Sequence, residues 1–336
     1  MIIFEGEGAD DVWLAAAAAI ARGDGRHQLG RLESTQELLH VAMIVRDPTM
    51  RWVTSRYPAL NVAFALAEVV WIVNGRDEAS FINFWNRRMP AFAGDTPTYP
   101  GAYGKRLRSH FGFDQLRRAA DVLTRNPDGR QVVLQIWDPK VDLPGESGEP
   151  NNKDIPCNIT SMLKVRDQRL EWFQVMRSND LFLGLPHNLT QFLTLQEIVA
   201  GWIGIETGSY TQVSDSLHVY ERDLENVAKA VRVKPARDGE SLRFPYEVSM
   251  NAFRDLYERC SVLTAESIRP EDAMDAVLAC ESPLVFRNWM SILGAEASRR
   301  HGWADLAKDL AQRCTSPVLS QLWAAWLRRV EGVSGA

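Results

Sequence analysis

Residues 154–188 read DIPCNITSMLKVRDQRLEWFQVMRSNDLFLGLPHN. This one stretch holds a cysteine after a proline (Cys157), an arginine (Arg177), a carboxylate (Asp180) and a planar amide (Asn188). Three chemistries use a cysteine in such a setting. A buried thiol can be structural. A Cys–His hydrolase needs an identifiable histidine and oxyanion donors. A thiolate that adds to an electron-poor carbon needs a nearby cation and a group that handles protons. Arg177 is a cation of the right kind, and a guanidinium also binds phosphate bidentately.

Other residues fit the third chemistry. Glu68 stands among apolar neighbours in FALAEVVWIV. A carboxylate there either lies on a narrow solvated stripe or sits in a pocket with a raised pKa, fit for acid–base work. His218 and Tyr220 are two apart in an alternating segment, so on a strand they share a face. Tyr99 and Tyr103 lie in GDTPTYPGAYGKRLR, a loop rich in glycine and proline of the kind that carries sites.

These residues need elements to hold them. The pattern predicts helices over 9–22, 61–73, 80–88, 113–125 and 189–204. It predicts strands over 36–45, 51–54, 130–137 and 208–213, with two more joined by the turn Arg166-Asp167-Gln168-Arg169. Residues 140–154 read as an exposed loop. Residues 249–330 are helical in period throughout and show no chemistry of their own. The expected organisation is a catalytic core over 1–234 and a mainly α-helical extension over 235–336.

The 336 residues are 46% hydrophobic and 24% charged, with a net charge of −5. That composition suits a globular protein with a sizeable core. The acidic balance argues against stable nucleic-acid binding, which favours a basic face. No apolar run is long enough to span a bilayer, and the acidic start MIIFEGEGADD is not a secretory signal. The four cysteines are far apart with no CxxC pair, so neither a disulfide framework nor a metal site is expected, and a cytoplasmic location fits.

Taken together, residues 30–225 resemble the thymidylate synthase family. Ile155-Pro156-Cys157 is similar to the family's nucleophile segment, Arg177-Ser178-Asn179-Asp180 to its phosphate and folate segment, and Leu183 to Asn188 to its Gly-Leu-Pro-Phe-Asn segment. Asp215 to Tyr220, Ala67 to Trp71, and Ala102 to Lys105 match three more motifs in the right order. The resemblance implies an α/β (α+β) three-layer fold with a twisted mixed sheet, extended here by C-terminal helices. It implies a pyrimidine nucleoside monophosphate as substrate and methylenetetrahydrofolate as co-substrate, with no metal. Cys157 would attack carbon 6, Glu68 would relay protons, and Tyr103 would assist removal of the carbon 5 proton. Arg177, Ser178 and Arg130 would hold the phosphate, Asn188 the base, and His218 and Tyr220 the sugar. Asp180, Gly184 and Trp85 would bind folate. A homodimer is implied, with Arg130 reaching the partner site.

The departures matter. The family's N-terminal phosphate arginine aligns near Arg31, without its Arg-Thr-Gly setting. The paired arginines read Arg130-Gln131. Asn158, Met176 and His187 replace a histidine, a glutamine and a phenylalanine. Helices stand where family members end in a short apolar tail that closes the site. Methylation of dUMP is the first expectation. A site that admits water would instead give a hydroxymethyl product on dUMP, dCMP or CMP. An inactive nucleotide-binding paralogue is a third reading.

Overall fold

The structure is a computed structural model and describes residues 1–30, 33–230, 232–233 and 239–332. Arg31 lies outside the described residues.

Seven strands form one mixed sheet: β1 (Ile2–Gly6), β2 (Arg26–Leu29), β3 (Ser34–Val45), β4 (Val133–Gln135), β5 (Asn158–Arg166), β6 (Arg169–Asp180) and β7 (Glu206–Tyr220). Their order is β1-β3-β7-β6-β5-β4, with β2 beside β3. The pairs β1–β3 and β6–β7 are parallel and the others antiparallel. The β5–β6 hairpin turns through Asp167 and Gln168, both at positive φ (50° and 58°), as a two-residue hairpin requires.

Register gathers the chemistry at one end of the central strands. Arg177 N–H donates to Cys157 O at 2.9 Å, so the cysteine that precedes β5 faces the arginine on β6. Across β6–β7, Ser178 pairs with Ser216 and Asp180 with His218. Across β3–β7, Glu37 pairs with His218 and Thr35 with Tyr220.

The helices before β6 are α1 (Ala9–Ala21), α2 (Val62–Val73), α3 (Ala79–Trp85), α4 (Met89–Ala93), α5 (Tyr103–Lys105), α6 (Gln115–Arg125) and α7 (Pro139–Asp142). After it come α8 (Leu185–Ile203), α9 (Leu224–Ala228), α10 (Tyr246–Leu263), α11 (Pro270–Leu278), α12 (Leu284–Arg300), α13 (Ala304–Gln312) and α14 (Pro317–Val330). α8 is the crossover that makes β6 and β7 parallel. α2 starts cleanly because Asn61 caps it, its side chain accepting from Phe64 N–H at 3.0 Å. All residues of α2 are buried except Glu68, which is partly buried. That burial is possible because α8 packs on one side of α2 and α10, α12 and α14 on others. The C-terminal helices therefore share one hydrophobic core with the sheet.

Four expected elements differ. Residues 51–54 form no strand. Trp52 and Val53 turn into the core, and Asp10 accepts from the Thr54 and Ser55 amides at 2.8 Å each, so no ladder is needed. Only 133–135 of the 130–137 segment pair as strand, at the sheet edge beside β5. The 80–88 helix stops at Trp85, and the helix expected from 189 starts at Leu185, because Pro186 fits a first turn. Strands β1 and β2 are additional.

Candidate active site

A cavity of about 1050 Å³ opens beside the ends of the central strands. Cys157, Glu68, Tyr103, Arg177, Ser178, Asn188, His218, Tyr220, Asp180, Gly184 and Trp85 all line it. Arg130 does not; it is exposed on the loop before β4. The structure thus brings together eleven residues chosen from the sequence and leaves one outside.

Cys157 is half-buried, and the guanidinium of Arg177 lies 3.9 Å from its Sγ. Arg177 is held by donating to Pro156 O at 3.0 Å and Ile155 O at 3.1 Å. Its guanidinium also lies 5.6 Å from the centre of the Trp137 ring. A fixed cation beside the sulfur favours thiolate over thiol. None of the four cysteines is in a disulfide.

Glu68 reaches the cavity from the middle of α2. Burial pushes its carboxyl up to about 7, with the Gln191 amide pulling the other way. Gln191 and His187 are four apart on α8, so they share the face that meets Glu68. Burial, and then the charges of Arg56 and Arg329, push the His187 imidazole down to about 3, so it is neutral at pH 7. Tyr103 comes close because Gly104 abuts α2. A Cβ on Gly104 would meet Ile72 O at 2.5 Å. Burial pushes the Tyr103 phenol well above its ordinary value, and the nearby Cys157 adds to this.

Asn188 is buried, and its Nδ2 donates to Asn179 Oδ1 at 3.1 Å. Asn179 in turn donates to Ser214 Oγ at 3.3 Å. This chain fixes how the Asn188 amide is turned. Asp180 Oδ1 accepts from the Phe182 and Leu183 amides at 2.8 and 2.7 Å. Burial raises the Asp180 carboxyl and lowers the His218 imidazole, each group partly offsetting the shift of the other. The rings of His218 and Tyr220 meet edge-on, with centres 5.7 Å apart.

The far wall was not foreseen. Arg300, Trp326 and Arg329, from α12 and α14, line the same cavity, as do Arg56 and Arg88. Arg300 donates to Phe84 O and Trp85 O at 2.7 Å each, and so fixes α3. Arg56 is buried against Phe182, 3.8 Å from the ring centre, and is pushed down to about 9 by burial and by the Arg329 charge. Among the described residues, Arg56, Arg88 and Arg329 are in no salt bridge. The helical periodicity of 249–330 gave no sign that these helices touch a site.

Among the described residues, no group of three or more His, Cys, Asp or Glu side chains is placed to hold a metal ion. No helix there is long and apolar enough to cross a membrane.

The family model for thymidylate synthase matches residues 22–262. The chain is 39% identical over 170 residues to a deoxyuridylate hydroxymethyltransferase of Pseudomonas phage M6, covering 50% of this chain and 47% of that one. It is 35% identical over 199 residues to the protein of the same name from Bacillus phage SP01, covering 56% and 51%. A thymidylate synthase of Francisella philomiragia is 24% identical over 190 residues, covering 52% and 68%. The match spans about half the length of the two phage relatives. With the family model covering well over half of its length, this chain belongs to the thymidylate synthase family.

Proposed function

We propose that the protein transfers a one-carbon unit from methylenetetrahydrofolate to carbon 5 of a uracil nucleoside monophosphate, and that water completes the product as a hydroxymethyl group. The observation that supports this most is the meeting of Cys157 and Arg177 with the partly buried carboxyl of Glu68 in one cavity.

The residues have separate tasks in this reading. Cys157 adds to carbon 6 and makes carbon 5 a nucleophile. Arg177 and Ser178 hold the phosphate. One Asn188 N–H is committed to Asn179, so its second N–H and Oδ1 remain for the uracil carbonyl and N–H. His218 and Tyr220 take the sugar. Glu68 moves protons near pH 7, and Tyr103 helps remove the carbon 5 proton.

The cavity exceeds the usual size for one small ligand, which leaves room for folate beside the nucleotide. The atoms nearest to a Cβ on Gly184 would be Asn188 Nδ2 and Asp180 O at 3.6 Å and Asp180 N at 3.7 Å, all at ordinary contact distance. The chain itself therefore has no need of glycine there, whereas a ligand lying on it would. Asp180 Oδ2 and Trp85 complete the folate side. A dimer fits the exposed position of Arg130. It also fits the half-buried row of Met162, Phe173 and Thr211 across β5, β6 and β7, on the sheet face opposite buried Trp172.

The hydroxymethyl product is favoured over methyl by the names of the two phage relatives. The Francisella relative favours the methyl product. Mass spectrometry after incubation with dUMP and methylenetetrahydrofolate separates the two. Hydroxymethyl-dUMP with tetrahydrofolate released is the expected result. Thymidylate with dihydrofolate would overturn the product assignment, and unchanged dUMP would overturn the transfer itself.

A further inference from the structure

His187 has no role in the account so far. Its Nδ1 lies 3.8 Å from Glu68 Oε2, beyond hydrogen-bond distance, and neither atom has another partner. Both atoms are buried. Buried polar atoms are nearly always satisfied, so two unsatisfied ones facing each other at a cavity wall mark a bond that forms in a working state. Phe64 packs edge-on against the imidazole at 4.8 Å between ring centres.

We propose that His187 is a positioning residue that donates its Nδ1–H to Glu68 Oε2, and so holds Glu68 as the ionised base that takes a proton from attacking water. The proposal rests on the one-carbon reading above. After tetrahydrofolate leaves, carbon 5 carries an exocyclic methylene conjugated with the carbon 4 carbonyl. The water oxygen bonds to that methylene, and the electron pair of its double bond moves to the carbon 4 oxygen as an enolate. The water proton goes to Glu68. The enolate then collapses, re-forms the carbon 5–carbon 6 double bond and expels the Cys157 thiolate. Nothing is oxidised or reduced. The competing hydride transfer from tetrahydrofolate needs no base, so a group that keeps Glu68 basic favours water.

The surroundings are consistent with this. The groups facing His187 are Glu68 on α2, Arg56 before α2 and Arg329 on α14. Burial, reinforced by the two arginines, keeps the ring neutral, so it acts as a donor without adding charge. Gln191 on α8 and Tyr103 on α5 are the polar groups facing Glu68 from the other elements.

The test uses full-length wild type, His187→Phe, His187→Leu and His187→Asn with carbon-5-tritiated dUMP and methylenetetrahydrofolate in oxygen-18 water. Tritium release reports the transfer. The ratio of labelled hydroxymethyl product to methyl product, per tritium released, reports His187. His187→Phe and His187→Leu are expected to lower this ratio about tenfold. They also move its acid limb to higher pH, since Glu68 without its donor holds its proton longer. His187→Asn, which keeps an N–H near Nδ1, restores both. An unchanged ratio and pH limb in a variant that still releases tritium would overturn the role. So would a wild type that releases tritium yet makes only methyl product. A wild type that releases none sinks the one-carbon reading, and this role with it.

Discussion

Two regions of the molecule draw a glutamate carboxyl out of water, and they treat it in opposite ways. Glu296 on α12 is fully buried and accepts from Arg299 at 2.8 Å, Arg300 at 2.7 Å and Trp326 at 3.1 Å. Arg51–Glu197 and Arg106–Asp142 are buried and paired in the same way. Glu68 has no cation, and its Oε2 and the facing His187 Nδ1 are both unsatisfied. A charge buried with partners holds the fold. A titratable group buried without them costs stability and is kept where a ligand or a proton transfer needs it.

The largest expected effect lies on the functional side. Cys157→Ala should lower turnover at least ~10³-fold, with little change in thermal midpoint, because the thiol is half-buried and is the nucleophile of the proposed mechanism. Next comes the structural side. Glu296→Ala strands two partly buried arginines and should cost about 3 kcal/mol in denaturant unfolding, with a much smaller loss of turnover in the folded fraction than Cys157→Ala gives.

Glu68→Gln sharpens the contrast most. A carboxyl raised from 4.5 to about 7 binds a proton more tightly when folded than when unfolded. Stability from this group is therefore full below pH 4.5 and is lost as pH rises through 7. Removing the charge should stabilise the protein by about 2–3 kcal/mol at pH 8 and by nothing measurable at pH 4. Turnover should fall about 10²- to 10⁴-fold. A destabilised Glu68→Gln at pH 8 would mean that the carboxylate is satisfied after all, and the comparison would fail.

The smallest expected effect concerns the base. Asn188→Asp replaces a donor–acceptor amide by an acceptor that suits cytosine, and should shift the preference between dUMP and dCMP by about tenfold toward dCMP. Competition between the two nucleotides measures it.

The sequence made the site legible in a particular way. Cys157, Arg177 and Asp180 are close in the chain, the β5–β6 hairpin brings them close in space, and Asn188 follows in the first turn of α8. His218 and Tyr220 were found by strand alternation, and β7 does run through both. Glu68 was found because a carboxylate breaks an apolar helix. His187 stands out in the sequence only as a departure from the family's phenylalanine, since a helix expected from 189 hides its i,i+4 relation to Gln191. Arg329 and Trp326 could not be seen at all. They come from α14, far along the chain from α2, and periodicity reports which face is apolar, not what that face covers. Residues 51–54 misled for a related reason. An apolar run shows burial, whether the chain pairs in a sheet or is fixed by Asp10.

Tritium release from carbon-5-tritiated dUMP, compared between wild type and Cys157→Ala with and without methylenetetrahydrofolate, tests the central claim most directly. The account predicts release that needs both the thiol and the folate. Release that persists in Cys157→Ala, or none from wild type, would contradict it.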